Sequence, residues 1–173
     1  MKKRSVVFLA LAAFLIGTVA FAQDRELKVG DVAPEISLPT PKGDTARLSS
    51  MRGRLVLIDF WASWCAPCVE EQPELKKLYT KYAKQNGLYR KFQIFGVSLD
   101  SKKEGWQKII RKYNIPWTQV SDLKFWTSPI AQDYHIDALP FNVLIDEKGF
   151  VVAVNLHGEK LENFIGEYLS KEI

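Results

Sequence analysis

An almost continuously apolar run, Arg54 to Trp61 (RLVLIDFW), ends four residues before Cys65, and Cys68 completes a Cys-Ala-Pro-Cys motif. A run without polar alternation predicts a strand buried on both faces of a sheet. Beyond it, Leu75, Leu78, Tyr79 and Tyr82 recur at i, i+3, i+4 and i+7, which predicts an amphipathic helix ending near Gly87. Cys65 is therefore expected where a buried strand hands over to a helix N-terminus. Unpaired backbone N–H groups and the positive end of the helix dipole favour a thiolate at that point. Cys68 lies one turn further in, within reach of Cys65 for a disulfide and more deeply buried.

The rest of the chain alternates in the same way. Glu35–Leu38 and Thr45–Leu48 read as short strands around the turn Lys42-Gly43-Asp44. Lys91–Leu99 is a further strand, and Trp106, Ile109, Ile110 and Tyr113 repeat the helical spacing before Ile115-Pro116 closes that helix. Trp117–Val120 is a short strand, and Ser128-Pro129 has the form of an N-cap with Pro at the first helical position, opening a helix through Tyr134. Phe141–Ile145 and Phe150–Leu156 flank Asp146-Glu147-Lys148-Gly149, a hairpin signal, and Leu161, Phe164, Ile165, Tyr168 and Leu169 mark a last helix. Strands alternating with helices, then a hairpin and a helix, predict an α/β sandwich around a mixed sheet.

At 173 residues, with no internal repeat and no linker, the chain has the length of one domain. Its N-terminus is set apart. Met1-Lys2-Lys3-Arg4 precedes an uncharged apolar run, Val6–Ala22, that ends in Ala20-Phe21-Ala22 and is followed by polar residues. This is the pattern of a signal peptide over residues 1–22 cleaved after Ala22, the alternative being an uncleaved membrane anchor. The formal charge of +4 owes much to that leader, because without it 21 basic residues face 20 acidic ones. A nucleic-acid binder needs a basic face that survives such trimming, so nucleic acid is excluded as a partner. The folded part is expected in the periplasm, as a soluble monomer.

Two cysteines this close together close too short a loop to contribute much stability, and a mature chain of this size needs no such staple. The pair is there for chemistry. Cys65 attacks a substrate disulfide, and Cys68 then resolves the mixed disulfide and releases reduced product. Zinc would require further ligands, and the only histidines, His135 and His157, lack the spacing of a metal pair. No metal is expected, and no cofactor beyond the Cys65–Cys68 disulfide itself.

The segment Phe60-Trp61-Ala62-Ser63-Trp64-Cys65-Ala66-Pro67-Cys68 resembles the active site of thioredoxin-fold proteins. From about Val29 to the C-terminus, the chain resembles the exported TlpA/ResA-like thiol-disulfide oxidoreductases. That resemblance also rests on Pro73, where the thioredoxin fold carries a helix-kinking proline, on Gly96–Asp100 followed by the Trp106 helix, and on Ala138–Asp146 (ALPFNVLID). It implies a thioredoxin-like domain over residues 29–173, a central mixed sheet flanked by helices with an extra N-terminal β-hairpin. It also implies that Pro140 is cis and exposes the backbone of Leu139 to an extended substrate segment. Trp64, Ala66, Pro67, Leu139 and Pro140 then form the substrate-binding surface, whereas Trp61 belongs to the core. Phe141 stands where the family usually has Thr, which bears on substrate preference, and Ser101, beside Asp100, is aligned with a glutamate of ResA-like members. The implied activity is reduction of disulfides in envelope proteins, such as apocytochrome c, with a membrane thiol-electron donor restoring the dithiol.

Asp59 is the one charge in Leu55–Trp61. Burial without a partner raises a carboxyl pKa, and strand alternation puts Asp59 on the face opposite Ile58 and Phe60. The resemblance places it at the buried aspartate beneath the disulfide, as the acceptor of the Cys68 proton; the alternative is a hydrogen-bonded structural carboxylate. A peroxiredoxin would need Pro and Thr where Ile58 and Ala62 stand, which excludes that relative. A copper metallochaperone on the same fold, and a dithiol oxidant running electrons the other way, remain open at this level.

Overall fold

The computed structural model describes residues 26–83 and 91–171. The signal peptide expected over residues 1–22 and the helix end expected near Gly87 lie outside them. A central strand, β3 (Leu55–Trp61), pairs in parallel with β4 (Phe92–Ser98), which pairs in parallel with β5 (Thr118–Val120). On its other side β3 runs antiparallel to β6 (Phe141–Ile145), which forms a hairpin with β7 (Val151–Val154), giving the order β5-β4-β3-β6-β7. Every residue of β3 and β4 is buried, as a run without alternation requires.

The two faces of β3 feed two separate cores. Val56, Ile58 and Phe60 pack with Phe95, Val97, Val143 and Tyr134 on one side. Leu55 and Leu57 pack on the other against Leu75, Leu78 and Tyr79 of α1 (Ala66–Ala83) and Leu161 and Ile165 of α4 (Gly158–Ser170). A third cluster joins Trp61, Cys65 and Cys68 to Trp106 of α2 (Lys103–Tyr113). The left-handed Asn114 (φ 47°) ends α2, its N–H returning to Ile110 and Arg111 carbonyls. Trp61 is core as expected, its indole N–H reaching Gln119 Oε1 at 2.9 Å. That side chain crosses the space above Gly96, where a Cβ would collide with it.

The expected N-terminal hairpin is present as β1 (Ser37–Pro39) and β2 (Thr45–Arg47). It is shorter than its apolar pattern suggested, because Ile36 and Leu48 leave the ladder to enter the core, linked by Leu48 N–H to Ile36 C=O at 2.9 Å. At the opposite edge the chain around Asp31 exchanges backbone hydrogen bonds with Val151, which covers the β7 edge. α3 (Pro129–Asp133) begins at Pro129 as read, but the Ser128 hydroxyl donates to Asp122 rather than capping the helix. β7 stops at Val154, short of the expected Leu156, because Asn155 turns into the left-handed region (φ 54°).

Candidate active site

Cys65 ends the turn after β3 and Ala66 begins α1, so the motif sits at the strand-to-helix junction. The two cysteines form a disulfide. Cys68 N–H, one of the first-turn donors that no helical carbonyl can take, points at Cys65 Sγ at 3.3 Å. Pro67 carries no N–H at a position where none is needed. Cys65 is 6% exposed and Cys68 1%, so an incoming substrate sulfur meets Cys65.

The turn that delivers Cys65 is held by Asp100, just past β4. Its buried carboxyl accepts Ser63 N–H (3.0 Å), Ser63 O–H (2.6 Å) and Ser98 O–H (2.7 Å). Asp100 is thus a clamp for residues 62–64, while Ser101 is exposed. Replacing Asp100 by Ala should cost on the order of 3 kcal/mol, because it strips three donors of a buried acceptor. Denaturant unfolding of the oxidised protein measures this, and a change under about 1 kcal/mol would contradict it.

Among the expected surface residues, Ala66 and Pro67 are exposed beside the disulfide, and Trp64 is 47% exposed. The Trp64 ring is not isolated. It packs against Phe125 (centroids 5.2 Å) and Trp126 (6.1 Å), and Phe125 is itself 40% exposed at φ 55°. Trp64 Nε1–H donates to Leu99 O at 3.3 Å, fixing the ring. Sequence reading missed this aromatic platform, since Phe125 and Trp126 lie in an irregular stretch without periodicity. The Leu139–Pro140 bond is cis, and the half-buried Leu139 packs against the cysteine cluster.

Asp59 lies on the α1 face of β3, opposite Asn142 of β6 and Gly96 of β4, and is 3% exposed. Burial pushes its carboxyl up from the ordinary 3.8 to about 7, and the nearby Glu71 carboxyl adds to the rise. A hydrogen bond from Gln72 Nε2 (3.5 Å) and the charge of His157 oppose it. Gln72 also donates to Cys68 O at 3.3 Å, tying the aspartate to the resolving cysteine's turn. Among the described residues Gln72 Oε1 is buried without a hydrogen-bond partner. The glutamate that the structure brings to this site is Glu71, three residues after Cys68 on α1, rather than a residue of the loop after β4. Helical spacing from Cys68 could have found Glu71 and Gln72; nothing local to the sequence pairs Glu71 with His157.

The arrangement suits thiol-disulfide exchange: the less buried of two sulfurs at a helix N-terminus, a second sulfur closed off behind it, and a buried carboxyl tied through Gln72 to the second cysteine's turn, which burial pushes up to about 7. Among the described residues no three His, Cys, Asp or Glu side chains gather as a metal site. Residues 29–154 match the AhpC/TSA family. The chain is 32% identical over 146 residues to the thiol-disulfide oxidoreductase ResA of Geobacillus kaustophilus, covering 84% of this chain and 79% of that one. Among solved structures, a thiol-disulfide oxidoreductase from Bacteroides fragilis superposes with a TM-score of 0.73 at 37% identity, covering 80% of this chain and 99% of that one. The thioredoxin domain of a thiol-disulfide oxidoreductase from Bacteroides vulgatus does so at 0.75 and 34% identity, covering 83% and 99%. With a thioredoxin-like sheet, a strand-to-helix Cys65–Cys68 disulfide and relatives of this kind, the chain is a thiol-disulfide oxidoreductase and belongs to the AhpC/TSA family.

Proposed function

We propose that this chain acts outside the cytoplasm as a reductant of protein disulfides. Export rests on the basic, apolar and small-x-small pattern of residues 1–22. Direction rests on electrostatics: Cys65 Sγ is met by one backbone N–H, Ala66-Pro67 adds no charge, and the ionisable side chains that act on the buried site include two acids, Asp59 and Glu71. Such surroundings stabilise the reduced thiolate weakly, which makes the dithiol a willing electron donor. An oxidised substrate segment docks on Trp64, Ala66, Pro67, Leu139 and Pro140, with the ring faces of Phe125 and Trp126 extending that surface. Cys65 attacks one substrate sulfur and Asp59 accepts the proton of Cys68 as Cys68 attacks Cys65. A membrane dithiol then returns the pair to the reduced state.

The measurement that decides direction is the reduction potential of the pair, by equilibration with glutathione or thioredoxin. The expected value lies near the thioredoxin figure of about −270 mV. A value near the roughly −120 mV of a strong oxidant, with the pair oxidised in cells, would reverse the proposed electron flow.

A further inference from the structure

Asp59 is enclosed, so a proton taken from Cys68 must leave by way of a neighbour. Gln72, its hydrogen-bond partner, has no ionisable proton. The titratable groups that act on Asp59 are Glu71 from α1 and His157 from the start of α4. These two are in contact, His157 Nδ1 standing 2.9 Å from Glu71 Oε1, with side chains 33% and 16% exposed. The other ring nitrogen, Nε2, stands 2.9 Å from Asn155 Oδ1. Two oxygen acceptors at the two nitrogens suit an imidazolium, and a rotated Asn155 amide would serve the neutral ring equally well.

The contact is built by the strand pair that buries Asp59. Asn142, opposite Asp59 across the β3–β6 ladder, grips the chain that precedes His157. Its side chain donates to Leu156 O (2.6 Å) and accepts Leu156 N–H (3.1 Å), and its backbone carbonyl takes Asn155 N–H at 2.7 Å. Asn155 and Gly158, with φ of 54° and 56°, make the sharp turn that brings His157 over α1. A cleft of about 160 Å³ between α1 and α4 is lined by Glu71 and by Gly158, the residue after His157. The other charged groups lining it pair among themselves, Glu74 with Lys77 at 3.7 Å and Lys81 with Glu162 at 2.8 Å.

We propose that His157 is a positioning residue for the resolving step: by holding the Glu71 carboxyl beside the Asp59–Cys68 site, it gives the proton released by Cys68 a path to the α1–α4 cleft. The inference rests on the reading of Asp59 as the acceptor of that proton. In the step itself the Cys68 S–H bond breaks and its proton passes to Asp59. Cys68 Sγ bonds to Cys65 Sγ, the bond from Cys65 to the substrate sulfur breaks, and the substrate leaves as a thiolate that takes a proton from water. Asp59 then hands its proton to Glu71, and His157 or cleft water carries it on. The charge of His157 also opposes that of the two acids, which keeps Asp59 able to ionise close to neutrality.

The test mixes the reduced protein with dithiobis-nitrobenzoate, whose released thiolate is read by absorbance. The first release reports attack by Cys65 and the second reports resolution by Cys68. In His157→Gln, which keeps a hydrogen bond to Glu71 without charge, the first release should be unchanged. The second should move about one unit upward in its pH midpoint and slow about fivefold at neutral pH. His157→Lys, which restores a cation opposite Glu71, should recover most of the rate, an outcome that a merely structural defect would not give. An unchanged second phase in His157→Gln, while Asp59→Asn is slowed, would overturn the role of His157 and leave Asp59 standing. An unchanged second phase in both variants would overturn the inference together with the reading beneath it.

Discussion

Cys68→Ser is expected to accumulate mixed disulfides with its substrates, whereas Cys65→Ser accumulates none and turns over at the uncatalysed background. The asymmetry follows from position. Cys65 precedes the first residue of α1 and receives Cys68 N–H at its sulfur, while Cys68 is closed off by its own helix and by Trp106 of α2. Without Cys68 the second half of the exchange has no nucleophile, so the covalent intermediate persists. Without Cys65 the remaining thiol is buried and meets no substrate sulfur. Both variants lose the same short cross-link and with it the same small stabilisation, so a difference in trapping is not a difference in folding. Non-reducing electrophoresis and intact mass of the adducts read the result, and alkylation of the reduced wild type should modify Cys65 first. Equal trapping by the two variants would contradict the assignment.

Asp59→Asn should slow the resolving step on the order of 100-fold above neutral pH, the low end of what a positioned base contributes. The sign with pH is fixed by the carboxyl's displacement from 3.8 to about 7. As a base it works only when ionised, so the wild-type rate rises through pH 7, and that rise should vanish in the variant. Stability moves the opposite way. The folded state holds the proton more tightly than the unfolded chain does, so folding loses free energy as pH climbs from the ordinary carboxyl value to the folded one. The loss is absent below about 3.8, grows across the interval and levels off above about 7, where the displacement corresponds to about 4 kcal/mol. The oxidised Asp59→Asn variant should therefore match wild type near the acid end and exceed it by a few kcal/mol in mild alkali. Paired urea titrations at the two ends of the window test this, and equal stability at both ends would contradict the displaced carboxyl.

His157 bears on the same window from the other side. Its pKa is raised, first by the hydrogen bond to Glu71, against a burial penalty. The stabilisation from that pairing is present at pH below the ordinary histidine value and is lost as pH rises through the raised one. The buried acid and the half-buried base therefore belong to one contiguous group of side chains whose charges depend on pH.

Much of this was legible in the residues alone. The seven buried positions of β3, the helix that follows and the bounds of β6 come directly from local pattern, because alternation, helical spacing and turn residues act over a few neighbours. The junction that presents Cys65 is local in the same sense. So is the face of Asp59, since side chains on a strand alternate whatever the sheet does around them. Sequence pattern also marked Asp59 as a buried charge that needed an accounting, while its place beneath the cysteines was implied only by the family resemblance.

Contacts between distant segments supply that accounting. Periodicity tells which face of an element is buried and says nothing about which distant side chain meets it there. Glu71 and His157 are 86 positions apart, and they meet because β6 enters antiparallel beside β3 and its Asn142 holds the chain before α4. Asp100 reached Ser63 across 37 positions, and Trp64 gained Phe125 and Trp126 from a stretch with no repeating pattern. Local pattern was enough for the strand, the helix and the sulfur pair between them. The folded chain decided what surrounds that pair, because the energy of a buried charge depends on every group brought near it, and those groups are assembled by the sheet.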